Sequence, residues 1–122
     1  MDILSKRRTE ENTMANFSEL LREVAHLIKT IHPNSTIILF GSYARGDAHE
    51  DSDLDICVLV PALTQRRIDM KVEIRGLIGE TIYGYDMDFD TKLYTYAEFE
   101  QEAQYKSTLQ YTIKTEGVPL SA

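Results

Sequence analysis

Apolar positions change their period along this chain, and each change predicts an element. Phe17, Leu20, Leu21, Val24, Leu27, Ile28 and Ile31 recur at helical spacing, with Glu19, Arg22, Glu23 and Lys29 between them. One side of that helix is apolar and the other charged. Asn16 can cap its start, and Pro33 stops it. Residues 1–15 are polar, mixed in charge and without clear period. They are expected to form a flexible tail, adding at most a loose helical turn, ahead of a domain over residues 16–122. Ser35 to Phe40 is a β-branched, apolar run, the mark of a buried strand. After a polar loop, Leu54, Ile56, Val58 and Val60 alternate with Asp53, Asp55 and Cys57. That predicts a second strand with a core face and a chemical face, ended by Pro61.

Helical spacing returns from Thr64 to about Glu80, with Met70, Ile74, Leu77 and Ile78 turned inward. Gly84 marks a turn. Met87, Phe89 and Leu93 then alternate with Asp86, Asp88, Asp90 and Lys92, predicting a third strand. Thr95 and Glu98 have the spacing of a capping box for a last helix over about 96–115, ending near Gly117. The order α-β-β-α-β-α predicts an α/β (α+β) fold, a small mixed sheet of about three to four strands backed by helices.

Length and composition narrow the class. At 122 residues the chain makes one domain, and 43% hydrophobic with 27% charged residues is ordinary globular composition. No run approaches a membrane span, and no apolar stretch follows Lys6-Arg7-Arg8 as a secretory signal requires, so no membrane is expected. A lone cysteine, Cys57, cannot form an internal disulfide, which suits a reducing, cytoplasmic setting. The net charge of −7 lacks the basic surplus that neutralises a phosphate backbone. Long nucleic acid is therefore not the expected substrate, whereas a single nucleotide bound through metal ions remains open.

The stretch "LFGSYARGDAHEDSDLDICVLV", residues 39–60, carries the chemistry. Residues two apart on a strand point the same way, roughly 6–7 Å apart, so Asp53 and Asp55 project together. Such carboxylates repel each other, and a divalent cation relieves the repulsion. Hard oxygen ligands suit Mg²⁺, which takes a few protein carboxylates together with substrate phosphates. A third carboxylate on a neighbouring strand would complete a site for two ions, the arrangement that clamps the attacking and leaving oxygens in phosphoryl-type transfer. Asp86, Asp88 and Asp90 share one face of the third strand, so period alone does not choose among them. Taken alone, an Asp-x-Asp is more often a solvated strand edge or an Asx turn. Its apolar neighbours and the preceding Gly-Ser turn argue otherwise. Gly41 can take backbone angles barred to other residues and lets the chain approach a ligand. Ser42 adds a hydroxyl, and a short helix from residue 42 would turn its free N–H groups toward a phosphate. Arg45 can add a charge-assisted contact.

"GSYARGDAHEDSDLD" resembles the signature of the DNA polymerase β-like nucleotidyltransferase superfamily, in its minimal (MNT) branch. Gly41-Ser42, ten residues and then Asp53-Leu54-Asp55 match that signature without gaps. "DTKLYTYAEFE" from Asp90 resembles the family's third strand and following helix, so the resemblance covers about residues 17–120. It implies the polymerase β-like nucleotidyltransferase fold and transfer of a nucleoside monophosphate, such as AMP from ATP, to a hydroxyl with two Mg²⁺ ions. By the same resemblance Gly41 and Ser42 hold the triphosphate, and Asp53 and Asp55 hold the metals. The family pattern sets its third aspartate five residues before the Thr that opens the last helix, which selects Asp90, with Asp88 as the alternative. Family members usually carry one acid here, where this chain has three.

Larger members of the superfamily carry a further domain for the acceptor. Stand-alone minimal proteins resemble antitoxins of HEPN/MNT toxin–antitoxin pairs, which implies a HEPN ribonuclease toxin as partner and AMPylation of its tyrosine. Two other readings are a small-molecule, aminoglycoside-type nucleotidyltransferase completed by a helical partner chain, and a non-catalytic toxin-binding module. Self-association is open. The remaining polar residues read as structural. His26 and His32 are expected on the surface and His49 in a solvated loop, and Cys57 is a small filler with no basic partner. Arg66 and Arg67 are expected on a charged helix face, and the tyrosines, including Tyr94, Tyr96, Tyr105 and Tyr111, in packing.

Overall fold

The computed structural model describes residues 3–85 and 87–121, with side chains from residue 17 onward, so Asp86 lies outside the described residues. Its elements are α1 (Ile3–Ile31), β1 (Thr36–Phe40), α2 (Ser42–Arg45), β2 (Leu54–Val60), α3 (Arg67–Ile82), β3 (Phe89–Thr95), α4 (Tyr96–Ala103), α5 (Leu109–Glu116) and β4 (Val118–Pro119). The sheet is four-stranded and mixed, in the order β3-β2-β1-β4. β1 runs antiparallel to both β2 and β4, whereas β2 and β3 are parallel, joined by α3 as the crossover helix.

The alternation of β2 sorts its residues onto two faces, and both are covered. Leu54, Ile56, Val58 and Val60 meet Leu20, Val24 and Ile28 of α1 and Met70, Ile74 and Ile78 of α3 in one core. Cys57 and Leu59 join Ile38 and Phe40 against Phe99 and Ala103 of α4 and Ile113 of α5 in another. Each fully buried aliphatic side chain contributes about 1.5–3 kcal/mol. The expected chemical face of β2 is therefore dry over most of its length, and only its first turn of strand remains open to solvent at Asp55.

Several boundaries depart from the periodicity. α1 begins at Ile3, so the backbone expected as a tail is helical. Residues 3–15 contain no glycine or proline, and extending a nucleated helix costs little. Ile31, expected on its inner stripe, is exposed. On α3 the buried stripe is Met70, Ile74, Ile78 and Ile82, with Leu77 only half-buried. The expected last helix is two helices. The Thr108 hydroxyl donates to the Glu102 and Tyr105 carbonyls behind it and accepts the Tyr111 N–H ahead, ending one helix and capping the next. β4 was not expected. It follows Gly117, where any Cβ would overlap Ile38 of β1 and the Ile113 carbonyl, so only glycine lets the chain lie this close to the sheet.

The capping box at α4 forms as read. Thr95 Oγ1 accepts the Glu98 N–H at 3.2 Å, and Glu98 Oε1 accepts the Thr95 N–H at 2.8 Å. Arg67, expected on a free helix face, instead donates to the Leu93 carbonyl at 2.8 Å and pairs with Glu98, tying the start of α3 to the start of α4. His32 is likewise held, by Glu73 of α3 at 2.8 Å, and is not a free surface histidine.

Thr95→Ala is expected to lower stability by about 1 kcal/mol, lowering Tm by about 4 °C in a thermal melt. The Glu98 carboxyl is held below its ordinary range, first by the Thr95 backbone N–H and further by Arg67. Its contribution is present above the ordinary glutamate pKa and lost as pH falls through the lowered folded value. Glu98→Ala should therefore cost more at pH 7 than at pH 3, as paired melts will show.

Candidate active site

The sheet register assembles the site. Phe40 of β1 lies opposite Asp55 of β2, and Asp55 lies opposite Asp90 of β3. One row across three strands therefore ends the β1 chain beside two carboxylates. Immediately after Phe40, Gly41 turns the chain at φ 75° and ψ −156°. A Cβ at Gly41 would overlap Asp55 Oδ2 and stand 3.1 Å from its Cγ. The turn thus demands glycine twice, for its backbone angles and for the approach of the aspartate.

Ser42 opens α2, a single turn whose Ala44 and Arg45 N–H groups both donate to the Gly41 carbonyl at 3.1 Å. The first N–H groups of a helix have no acceptor within it, and here they belong to Ser42 and Tyr43, at the turn. The turn is anchored from behind, because Tyr43 stacks on Phe17 of α1 with ring centroids 5.1 Å apart. Arg45 is exposed and engaged by Asp47 at 3.3 Å and Glu116 at 3.9 Å. It stands close enough to Asp55 to stabilise its charge.

Asp55 is half-buried and its carboxyl is raised above the ordinary range, first by burial, then by the charges of Asp90 and Asp53, with Lys92 and Arg45 opposing. Asp53 stands just before β2 and is exposed. Asp90 is half-buried and already partnered. Its Oδ1 accepts the Thr91 N–H at 3.0 Å, and its Oδ2 faces Lys92 Nζ at 3.4 Å. Asp88 is exposed one residue before β3, where its carbonyl accepts the Leu54 N–H at 2.9 Å. It lines an open cleft of about 540 Å³ together with Asp53, Glu50, Asp51, Tyr83 and Phe89. Asp53 and Asp90 thus both act electrostatically on Asp55, whereas Asp88 lies at the cleft with Asp53 and is not among the charges acting on Asp55.

Clustered carboxylates with a strained charge are the donor set a hard divalent cation takes. Asp53 and Asp55 fit such an ion chemically. Among the described residues, however, no three acidic, histidine or cysteine side chains converge as ready ligands. Asp90 is instead engaged by Lys92. The sequence pattern gives Lys92 only a place in the alternation of the third strand. Its position two after Asp90, on the same face of the strand, was the available signal.

The other polar residues take structural places. Cys57 is buried and its thiol is pushed up to about 12 by burial, which leaves no thiolate for nucleophilic chemistry. His26 is exposed, and the exposed loop residue His49 accepts the Asp51 N–H. Arg66 pairs with Asp69, and Tyr96 binds Thr36 and the Asn34 carbonyl. Among the described residues no helix is long and apolar enough to cross a membrane.

A glycine turn set against strand carboxylates, on a small mixed sheet, defines a nucleotide-handling α/β domain. A family model described as a nucleotidyltransferase domain matches residues 19–115, which spans the turn, all three aspartates and the helices around them, and the chain belongs to this family. Two relatives come from Methanocaldococcus jannaschii. "Putative protein adenylyltransferase MJ1305" is 49% identical over 53 residues, 43% of this chain and 36% of that protein. "Putative protein adenylyltransferase MJ1379" is 44% identical over 80 residues, 66% of this chain and 79% of that one. The chain therefore spans about a third of the first relative's length and most of the second's. The crystal structure of a "putative nucleotidyltransferase" from Sulfolobus solfataricus shares the fold, with TM-score 0.55 and 20% identity over 88% of this chain and 82% of that one.

The raised Asp55 carboxyl fixes the sign of a pH effect. A carboxyl raised on folding leaves stability intact below its unfolded pKa and removes it as pH rises through the folded value. Asp55→Asn is accordingly expected to match or exceed the parent's Tm at pH 7, by up to about 3 °C. The advantage should shrink at pH 4. A lower Tm at pH 7, recovering at pH 4, would contradict the strained-charge account.

Proposed function

We propose that this chain transfers AMP from ATP to a hydroxyl of a partner protein. The observation that carries the proposal is the row in which Gly41 closes on Asp55 with Asp90 in register beside it. The turn at Gly41-Ser42 offers N–H groups and a hydroxyl to the triphosphate. Asp53, Asp55 and Asp90 are the residues that would hold Mg²⁺, which when bound supplies charge neutralisation at the phosphates. The acceptor oxygen bonds to the α-phosphorus, the bond from that phosphorus to the bridging oxygen of the β-phosphate breaks, and pyrophosphate departs. The acceptor's proton passes to a carboxylate of this cluster or to water. What the chain itself supplies is position and charge, and holding the acceptor in line can account for several kcal/mol of barrier reduction.

A protein acceptor is supported by the relatives named as protein adenylyltransferases, one of them aligned over most of its length. The finer target implied by the sequence resemblance is a tyrosine on a HEPN-type ribonuclease toxin. The net charge of −7 suits a basic partner of that kind, because opposite charge speeds and orders encounter. The test is co-expression with a HEPN-type toxin, followed by intact-mass measurement in ATP and Mg²⁺. The expected result is a gain of AMP units on the toxin, localised to tyrosine. Asp53→Asn with Asp55→Asn should abolish the gain with the fold intact. A silenced toxin without mass change would replace transfer by neutralisation through contact alone.

A separate prediction concerns the third carboxylate. Its basis is the register that puts Asp90, and not Asp88, beside Asp55. Asp90→Ala is expected to lower the transfer rate at least tenfold more than Asp88→Ala. The opposite ranking would reassign the role to Asp88.

A further inference from the structure

Lys92 is the ammonium group among the site's carboxylates. It stands on β3 two residues beyond Asp90, on the same face, with its Nζ 3.4 Å from Asp90 Oδ2 and its side chain about a third exposed. The other Asp90 oxygen accepts the Thr91 N–H. Both oxygens of this carboxylate are thus partnered within the chain, whereas Asp53 and Asp55 carry no side-chain cation at comparable distance among the described residues. The same ammonium group also opposes the rise of the Asp55 carboxyl, so its field reaches both acids.

We infer that Lys92 is a positioning residue that reserves Asp90 until nucleotide arrives. The inference rests on the nucleotidyl-transfer reading of this site. An ammonium group and a divalent cation compete for the same carboxylate oxygen, and the charge of the one repels the other. Without nucleotide, Lys92 keeps its hold on Asp90, and a metal ion meets Asp53 and Asp55 alone. A triphosphate brings several negative charges to the Gly41-Ser42 turn and gives Lys92 a stronger anion than a single carboxylate. Asp90 is then released toward the site. The device makes completion of the site depend on substrate, which limits idle capture of metal by three bare carboxylates.

The experiment measures Mn²⁺ binding by electron paramagnetic resonance on the full chain, with and without a non-hydrolysable ATP analogue. Without nucleotide, Asp90→Asn is expected to leave Mn²⁺ affinity within about twofold, while Lys92→Met should tighten it about three- to tenfold, the size of one like charge removed from a partly solvated site. Combining Lys92→Met with Asp90→Asn should erase that gain. With the analogue present, Asp90→Asn should weaken Mn²⁺ binding. In turnover, Lys92→Met should raise the KM for ATP and lower kcat, and Lys92→Arg should recover most of both. If Lys92→Met binds Mn²⁺ no tighter than the parent, or its gain survives Asp90→Asn, the reservation of Asp90 is wrong. Asp53→Asn with Asp55→Asn is the control for the site itself. If Mn²⁺ binding survives that pair, the metal-assisted reading of the site fails as a whole, an outcome distinct from failure of Lys92 alone.

Discussion

The approach of Asp55 to the Gly41 backbone is the contact around which the candidate site is arranged. A carboxylate this close to a main-chain turn leaves no room for a Cβ, and it pins the end of β1 against the start of β2. Everything that positions the site serves that contact. The antiparallel register of β1 and β2 puts Phe40 opposite Asp55, and the parallel register of β2 and β3 puts Asp90 on its other side. Phe17 and Tyr43 hold the short helix after the turn from behind. The price is a carboxyl raised above its ordinary range, first by burial and then by the charges of Asp90 and Asp53.

Two dry faces make this possible in a small domain. α1 and α3 cover one side of the sheet and α4 and α5 the other, so β2 is buried along nearly its whole length. Its open end is where the polar residues collect. A site at the edge of a fully packed strand inherits the rigidity of the core, while its outer groups still meet solvent and substrate. The ties between helices at the opposite end, Arg67 to Glu98 and His32 to Glu73, brace the same framework without entering the chemistry.

The carboxylates are not equivalent. Asp53 is exposed and faces a cleft, Asp55 is half-buried against the turn, and Asp90 is engaged by its own strand through Thr91 and Lys92. Asp88 shares parity with Asp90 but stands one residue outside β3, at the cleft, because the parallel pairing begins at Phe89.

The amino-acid sequence by itself determined the first three strands, the main helices, the Gly41-Ser42 turn, the Asp53-x-Asp55 pair and the capping box at Thr95. These are local: each depends on residues within one or two turns of chain, where period, cap chemistry and glycine's backbone freedom act directly. The first strand boundary and the stops at Pro33 and Pro61 were legible for the same reason. The sequence overextended the last helix, because the apolar period runs on past Thr108 while the hydroxyl of that residue bonds backward and forward at once. It passed over β4, whose two residues are strand only by virtue of pairing with Ile38 and Leu39. Only the tertiary structure decided that β2 and β3 are parallel, that Asp90 therefore stands beside Asp55, and that Lys92 reaches Asp90. Periodicity says which side of a strand a residue occupies, but register between strands far apart in sequence comes from the packing of both sheet faces, and it is register that brings charges together.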